Sequence, residues 1–553
     1  MMNPLQLFSL EVLDTRLIPS SQDAINQTKK NAPPSRWRTP EFIFYIIVHM
    51  VIVPQMIFAA VSASNEHSLN YEMYAHKLQQ GWILGRKVDN SDMQYAGFRN
   101  NLPILTGTVF LHYTLRRVAN RFSIPRTTFD LVFACIFLTA LHGFSVIKIL
   151  VIYSISFLLA VKVTNRRLGL SLTWLYSILI LFLNEWYEGY RYGNIHPILG
   201  VLDGYCGLLP RWDVTFNFSI LRMISFNFDY YESVASNTDI EKKQRDEKEI
   251  TERDRIDIGP PTAEYNFKNY LAYLLYTPLY IAGPILTFND FMYQSKRPLP
   301  SVSLRRTLLY GLRTLICIFV MELILHYMYV VALTNAHAWE GLSSIQITMA
   351  AFFNLKTIWL KLLIPWRFFR FWSLLDKIDP PENMLRCMSN NYSASGFWRA
   401  WHRSFHRWTV RYIYVPLGGA KHPIQNMLLV FTFVAFWHDI QLRLLAWGWL
   451  ITLFVIPEVV AKLVFPAKKW ASRPIYRYMC AFGGVMNIYM LMIANLVGFA
   501  IGLDGMWDMI RDIFSSWMGV VYLIYATLIL SVGVQVMFEV RAGEERAGIN
   551  IRC

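Results

Sequence analysis

Apolar runs long enough to cross a bilayer recur along the chain. FIFYIIVHMVIVPQMIFAAV begins at Phe42, LLYGLRTLICIFVMELILHYMYVVAL at Leu308 and CAFGGVMNIYMLMIANLVGFAIG at Cys480. Each meets or approaches the roughly 20 apolar residues a helix needs to span. With the weaker runs counted, the pattern predicts an all-α polytopic membrane protein of about ten to thirteen transmembrane or re-entrant helices. Polar stretches divide it. Residues 1–40 form a tail with Lys29, Lys30, Arg36 and Arg38, which the bias of positive charge toward cytoplasmic loops places in the cytosol. Residues 41–553 form the membrane-embedded body. Within it, residues 233–264 are densely and oppositely charged and read as a solvated loop without chemistry of its own.

Basic clusters refine the threading. Arg116, Arg117, Arg121 and Arg126 follow the second run, and Arg166 and Arg167 the fourth, both on the side of the tail. Lys296, Arg297, Arg305 and Arg306 fall on the wrong side for simple alternation, which a re-entrant or interfacial element before them would resolve. The start, MMNPLQLFSLEVLDTRLIPS, has neither a basic opening nor a long apolar core, so the first span is expected to serve as the insertion signal. There is no pair of inverted hydropathy halves, a feature many secondary transporters show.

Composition agrees. The chain has 553 residues, 54% hydrophobic and 16% charged, against roughly 25% charged in soluble domains. Its net charge of +15 is too dispersed for a nucleic-acid surface and fits membrane edges and anionic headgroups. Its cysteines are scattered, without disulfide or zinc spacing.

One stretch concentrates chemistry: FWRAWHRSFHRWTVRYIYVP, Phe397 to Pro416. On one continuous helix, Trp398, Trp401, Phe405, Trp408 and Tyr412 form an aromatic stripe and Arg399, Arg403, Arg407 and Arg411 a separate basic face, with His402 and His406 between. An interfacial anchor helix would look the same. The histidine pair has no carboxylate or third ligand nearby, so no metal is expected. In the next apolar run, His438, Asp439 and Arg443 are ionisable groups at a cost that function normally justifies. Asp439 and Arg443 are spaced to pair, which leaves His438, a side chain suited to accept a proton near neutral pH. Glu322 and His326 are a second such pair, either a proton relay or a buried polar link between helices.

The order of these motifs, FWRAWHRSFHRWTVRYIYVPLGG, an apolar run, then WHD, resembles the signature of the membrane-bound O-acyltransferases. The resemblance is closest to their fungal Gup-type branch, named for glycerol uptake and related to hedgehog acyltransferases. GRKVDNSDMQY from Gly85, PRWDVTFNFSILRMISFNFDYYE from Pro210, YTPLYIAGPILTFNDF from Tyr276 and PENMLRCMSNNYS from Pro381 extend it over nearly the whole chain outside the charged insert. It implies helices around an intramembrane reaction chamber. It places the family's essential histidine on His438 and its second polar position on His402. Many relatives read WHG where this chain reads Trp437-His438-Asp439.

Further expectations follow from that resemblance. Acyl-CoA is the co-substrate, with Arg399, Arg403, Arg407 and Lys421 as candidates for its phosphates and Trp401, Trp437 and Asn391 for the chamber wall. Cys387 matches a cysteine that is linked to haem in hedgehog-type relatives. The Gup-type acceptor is a lysolipid, foremost a lyso-glycosylphosphatidylinositol anchor, in the endoplasmic reticulum and also the plasma membrane. Two other functions compete: a glycerol or proton-coupled solute transporter, and a non-catalytic regulator of membrane lipid composition.

Overall fold

A computed structural model of the chain describes residues 21–236, 238–246 and 250–551, with Glu11 and Leu17. Among the described residues, eight helices are long and apolar enough to cross a membrane. The helices that position the site are α1 (Pro40–Ser64), α2 (Met93–Arg121), α3 (Arg126–His142), α4 (Ser145–Lys162), α5 (Arg166–Tyr187), α6 (Trp212–Ala235), α7 (Leu304–Tyr327) and α8 (Ser344–Leu375). They continue with α9 (Ala394–Ala400), α10 (Arg403–Thr409), α11 (Pro423–His438), α12 (Leu442–Val464), α13 (Pro474–Phe499), α14 (Gly502–Ser515) and α15 (Trp517–Arg546). This is the all-α polytopic architecture the apolar runs predict.

Local chemistry sets the boundaries. Thr39 caps α1 by accepting from the Phe42 amide, and the Asp92 carboxylate caps α2 through the Tyr95 amide. Ser343 and Gln346 form a capping box at the start of α8. The outer faces are apolar: Met50 is 72% exposed and Phe58 73%, which suits a lipid surround. The core is aromatic. Trp212, Phe216 and Phe226 of α6 lie in one buried cluster with Tyr270, Tyr273, Trp372, Trp408 and Trp437.

Between α6 and α7 the chain forms short helices, Phe267–Leu274, Thr277–Tyr280 and Phe288–Lys296, none long enough to cross. Tyr270, Tyr273, Tyr280, Phe288 and Phe291 of these helices are buried in the core. Short buried helices of this kind are the form a re-entrant or interfacial element ahead of Lys296 and Arg297 would take.

Candidate active site

The motif is not one helix. α9 ends at Ala400, Trp401 is extended, and His402 adopts φ 44°, ψ 50° before α10 begins. The loop after α8 holds this break. Met384 bridges Trp401 antiparallel, the Asn383 carbonyl accepts from the Arg403 amide at 3.0 Å, and Asn383 Oδ1 accepts from the Ser404 amide at 3.1 Å. A left-handed residue that is not glycine costs about 1–2 kcal/mol and concentrates at functional sites. Helical periodicity cannot register a partner strand nineteen residues upstream, and so the continuous helix is overturned.

The break sends the His402 ring inward. It stacks on Trp366 of α8 at 4.3 Å and 26°, with Phe405 at 5.1 Å. The side chain is 6% exposed, and its Nε2 is buried without a hydrogen-bond partner, an arrangement that leaves one polar atom for a ligand. Burial, and then the neighbouring His438, hold its pKa well below the ordinary histidine value, so the ring is neutral.

His438 arrives from another direction. α11 has sixteen residues, a rise of about 24 Å against a hydrocarbon core of about 30 Å, so it is too short to cross a bilayer alone. His438 is exposed yet ringed by Trp437 at 4.8 Å, Trp447 at 6.2 Å and Phe499 at 6.3 Å. Trp437 is the shared element, 6.1 Å from the His402 ring and stacked on Phe405 at 4.5 Å. Its Nε1 donates to the Asn217 carbonyl at 2.8 Å, and its own carbonyl accepts from Asn217 Nδ2 at 2.9 Å. A Cβ on Gly498 would meet Trp447 Cδ1 at 2.7 Å, so glycine there lets α13 close against α12 behind His438. The expected Asp439–Arg443 pairing on a helix does not form. α11 stops at His438, and Asp439 instead accepts from Gln441 Nε2 at 2.6 Å.

The other expected residues are dispersed. Trp401 stacks on Phe397 at 5.2 Å. Asn391 is spent on its own turn, where Nδ2 donates to the Cys387 carbonyl at 3.0 Å. Arg399 and Lys421 are exposed and Arg403 is buried, because the break rotates Arg399 away from the rest of the row. Arg407 is held by Glu252 at 2.6 Å. Arg411 is held by Glu232 at 2.7 Å and by Asp257. Those carboxylates include the charged insert, which folds back as two short helices, Ile240–Asp246 and Glu252–Asp257. Far from being only solvated, it packs on the motif.

Cys387 does not fit a haem ligand. Lys356 Nζ lies on its sulfur at 3.1 Å, and Glu11 and Arg541 tie down the surrounding turn through Asn390. Glu322 and His326 form a satisfied polar link. Glu322 takes Arg99 at 2.6 Å and Trp82 Nε1 at 2.8 Å. His326 Nδ1 donates to the Glu322 carbonyl at 2.7 Å while Nε2 accepts from the Trp82 amide at 3.3 Å. With both ring nitrogens engaged, nothing there resembles a relay.

Sequence reading missed Trp366, Asn217 and Asn383, whose roles come from distant segments. It also missed a buried trio, His112, Asp130 and Asp376, with ligand atoms within 4.8 Å of one another. Arg116 and Arg126 hold the Asp376 carboxylate, Arg116 also holds Asp130, and Tyr276 donates to Asp376 at 2.7 Å. Two guanidiniums balance two carboxylates, which makes this a clamp joining α2, α3 and the end of α8.

Comparison with known proteins adds the family. The family described as membrane-bound O-acyltransferase matches residues 207–503, the span that carries α6, both histidines and Trp437. The chain is 51% identical to the membrane-bound O-acyltransferase GUP1 of Candida tropicalis, over 99% of this chain and 95% of that protein. It is 46% identical to the protein of the same name from Saccharomyces cerevisiae, over 99% and 98%. A more distant likeness, 32% over 34% of this chain and 39% of the other, is to the mouse protein-cysteine N-palmitoyltransferase HHAT. With two histidines meeting inside a multi-pass helical body, the chain belongs to the membrane-bound O-acyltransferase family and is an acyltransferase of that type.

Proposed function

We propose that the protein transfers a long-chain acyl group from acyl-CoA to a hydroxyl of a lysolipid, with His438 as the base. The reading extends to remodelling of a lyso-glycosylphosphatidylinositol anchor in the endoplasmic reticulum, which is where the Gup-type resemblance leads. One observation carries the assignment: His402 and His438, from different elements, both lie against Trp437, at 6.1 Å and 4.8 Å.

His438 is accessible and takes the proton of the acceptor hydroxyl. The oxygen attacks the thioester carbon, the carbonyl electrons move onto oxygen, and their return expels the CoA thiolate, which recovers the proton from His438. His402 is neutral and its Nε2 is unpartnered, so as an Nε2–H tautomer it donates to the developing oxyanion. Trp366 and Phe405 hold that ring in place and exclude water. Arg399 and Lys421, the exposed pair among the basic candidates, suit the nucleotide phosphates at the mouth.

The test uses purified protein, labelled palmitoyl-CoA and lysophosphatidylinositol. Transfer that disappears in His438→Ala, with expression and palmitoyl-CoA binding retained, supports the assignment; near-normal transfer by that variant refutes it. Protein-filled liposomes that pass glycerol without consuming thioester would favour the transporter instead.

A further inference from the structure

A spanning helix carries a buried carboxylate that the chemistry above does not use. Glu458 lies in the second half of α12 and is 8% exposed. A charge held there is costly, and such groups mark function. Five donors meet it. Oε1 accepts from Ser393 Oγ and Ser395 Oγ, both at 2.6 Å, and from Lys462 Nζ, one turn further along α12. Oε2 accepts from the Ser395 amide at 3.2 Å and from Asn487 Nδ2 at 3.3 Å. Asn487 belongs to α13 and also donates to the Tyr392 carbonyl at 3.2 Å. Both oxygens are engaged by protein, so this carboxylate holds structure rather than substrate.

What it holds is the start of α9. Ser393 caps that helix, accepting from the Gly396 amide at 3.0 Å through the same oxygen whose proton goes to Glu458. α9 has seven residues, too few to keep a helix or a direction by themselves, and it runs directly into Trp401 and His402. Within it, Trp398 packs against Trp447 of α12 and Phe431 of α11, each at 5.6 Å. Trp447 precedes Glu458 by eleven residues, which at about 100° each returns almost to the same face of α12. Trp447 is also the ring beside His438 at 6.2 Å. One face of α12 thus serves both histidines: His438 by contact with Trp447, His402 through α9. The Trp398–Trp447 contact alone is a pivot, and the carboxylate at the start of α9 stops rotation about it.

We infer that Glu458 is a positioning residue for acyl transfer: by pinning the start of α9 to α12, it sets the place of the His402 ring relative to His438. The inference rests on the reading above that these two histidines do the chemistry. A misplacement of about 1 Å can cost about 10²-fold in rate, so a carboxylate remote from substrate can govern turnover without governing binding.

The test compares full-length protein in detergent as wild type, Glu458→Ala, Ser395→Glu and the double variant Ser395→Glu with Glu458→Ser, which exchanges donor and acceptor across the same gap. Each single variant is expected to lower kcat for transfer from palmitoyl-CoA at least about tenfold, with KM for palmitoyl-CoA held within about twofold. The double variant is expected to return kcat to within about threefold of wild type. A purely structural role would lower the melting temperature and leave kcat unchanged per molecule that binds palmitoyl-CoA; that result overturns the inference. So does wild-type kcat in Glu458→Ala, or a double variant no faster than the singles. A second measurement needs no turnover. Spin labels at Arg399→Cys and Leu442→Cys, both exposed positions, with the native cysteines replaced, are expected to give one narrow distance that broadens in Glu458→Ala and narrows again in the double variant. An unchanged distribution in Glu458→Ala overturns the hold on α9. Transfer that persists in His438→Ala would sink the histidine reading separately, with the label distances still deciding what Glu458 holds.

Discussion

His402 and His438 are the same side chain in two environments, and the difference predicts different responses. His438→Ala removes the proposed base and leaves Trp437, Trp447 and Phe499 packed around it. Acyl transfer is expected to fall at least about 10²-fold with little loss of stability, read by turnover beside a thermal melt. His402 also carries a backbone burden, its left-handed φ of 44°. Asparagine tolerates that region better than alanine, so His402→Asn is expected to melt above His402→Ala while both lose transfer; equal melting would remove backbone strain from the account. The motif histidines also set an acid limit. Burial, with Arg399, Arg403 and Arg407 nearby, pushes His406 down to about 4, and His402 is lowered in the same direction. Below the unfolded value of about 6.5 the unfolded chain binds these protons and the native chain does not, so stability falls as pH drops from about 6.5 toward 4 and is insensitive to them above 7. Melting curves at pH 7.5 and 5 check this, and His406→Gln is expected to reduce the slope.

Among elements, the charged insert departs most from its composition. A mixed-charge run without aromatics reads as dispensable, and deleting it would then leave the enzyme intact. Its helix Glu252–Asp257 nevertheless places Glu252 on Arg407 and Asp257 on Arg411, one turn apart on the motif, and Arg255 on Asp290 at 2.9 Å. Arg407→Glu or Glu252→Arg alone is expected to lower stability by about 1 kcal/mol, and the double swap to restore most of it, in a thermal double-mutant cycle. Additive losses would show that the pair does not couple. The spans themselves were legible because a membrane-crossing helix is written in consecutive residues. His438 stood out as an ionisable group in an apolar run, while His402, set among arginines and aromatics, was singled out by the resemblance of the motif. The break at Trp401–His402 was not legible, because it is made by Asn383 and Met384 reaching back from another segment. The His112–Asp130–Asp376 clamp was hidden for the same reason: its members lie on three elements, α2, α3 and the end of α8, and no short stretch of sequence holds more than one of them.

At the scale of the whole molecule, the two ends of the chain meet. Glu539 of α15 accepts from the Arg36 amide at 3.0 Å and pairs with Arg546 at 2.7 Å, and Arg546 donates to the Pro33 carbonyl at 3.0 Å. Residues 33–36 and the end of α15 therefore lie together, and from the tail's basic residues we propose that this face is cytosolic. With α2, α3 and α6 counted as crossings beside the eight strongly apolar helices, the threading we propose takes α1 out, α2 back, α3 out, α4 back and α5 out, which predicts that the loop between α5 and α6 faces away from the cytosol. α6 returns, the short helices before α7 keep the chain on the cytosolic side, α7 leads out and α8 back. The same threading predicts that the motif begins on the cytosolic side, where CoA is available, and that α11 carries His438 inward from it. Cys206 is exposed in the α5–α6 loop and provides the check. In sealed microsomes, with the other cysteines replaced, a membrane-impermeant maleimide is expected to label Cys206 only after permeabilisation and to label a cysteine at Lys421 without it. Labelling of both from the same side would break the threading, and with it the delivery of CoA from the cytosolic side of the motif.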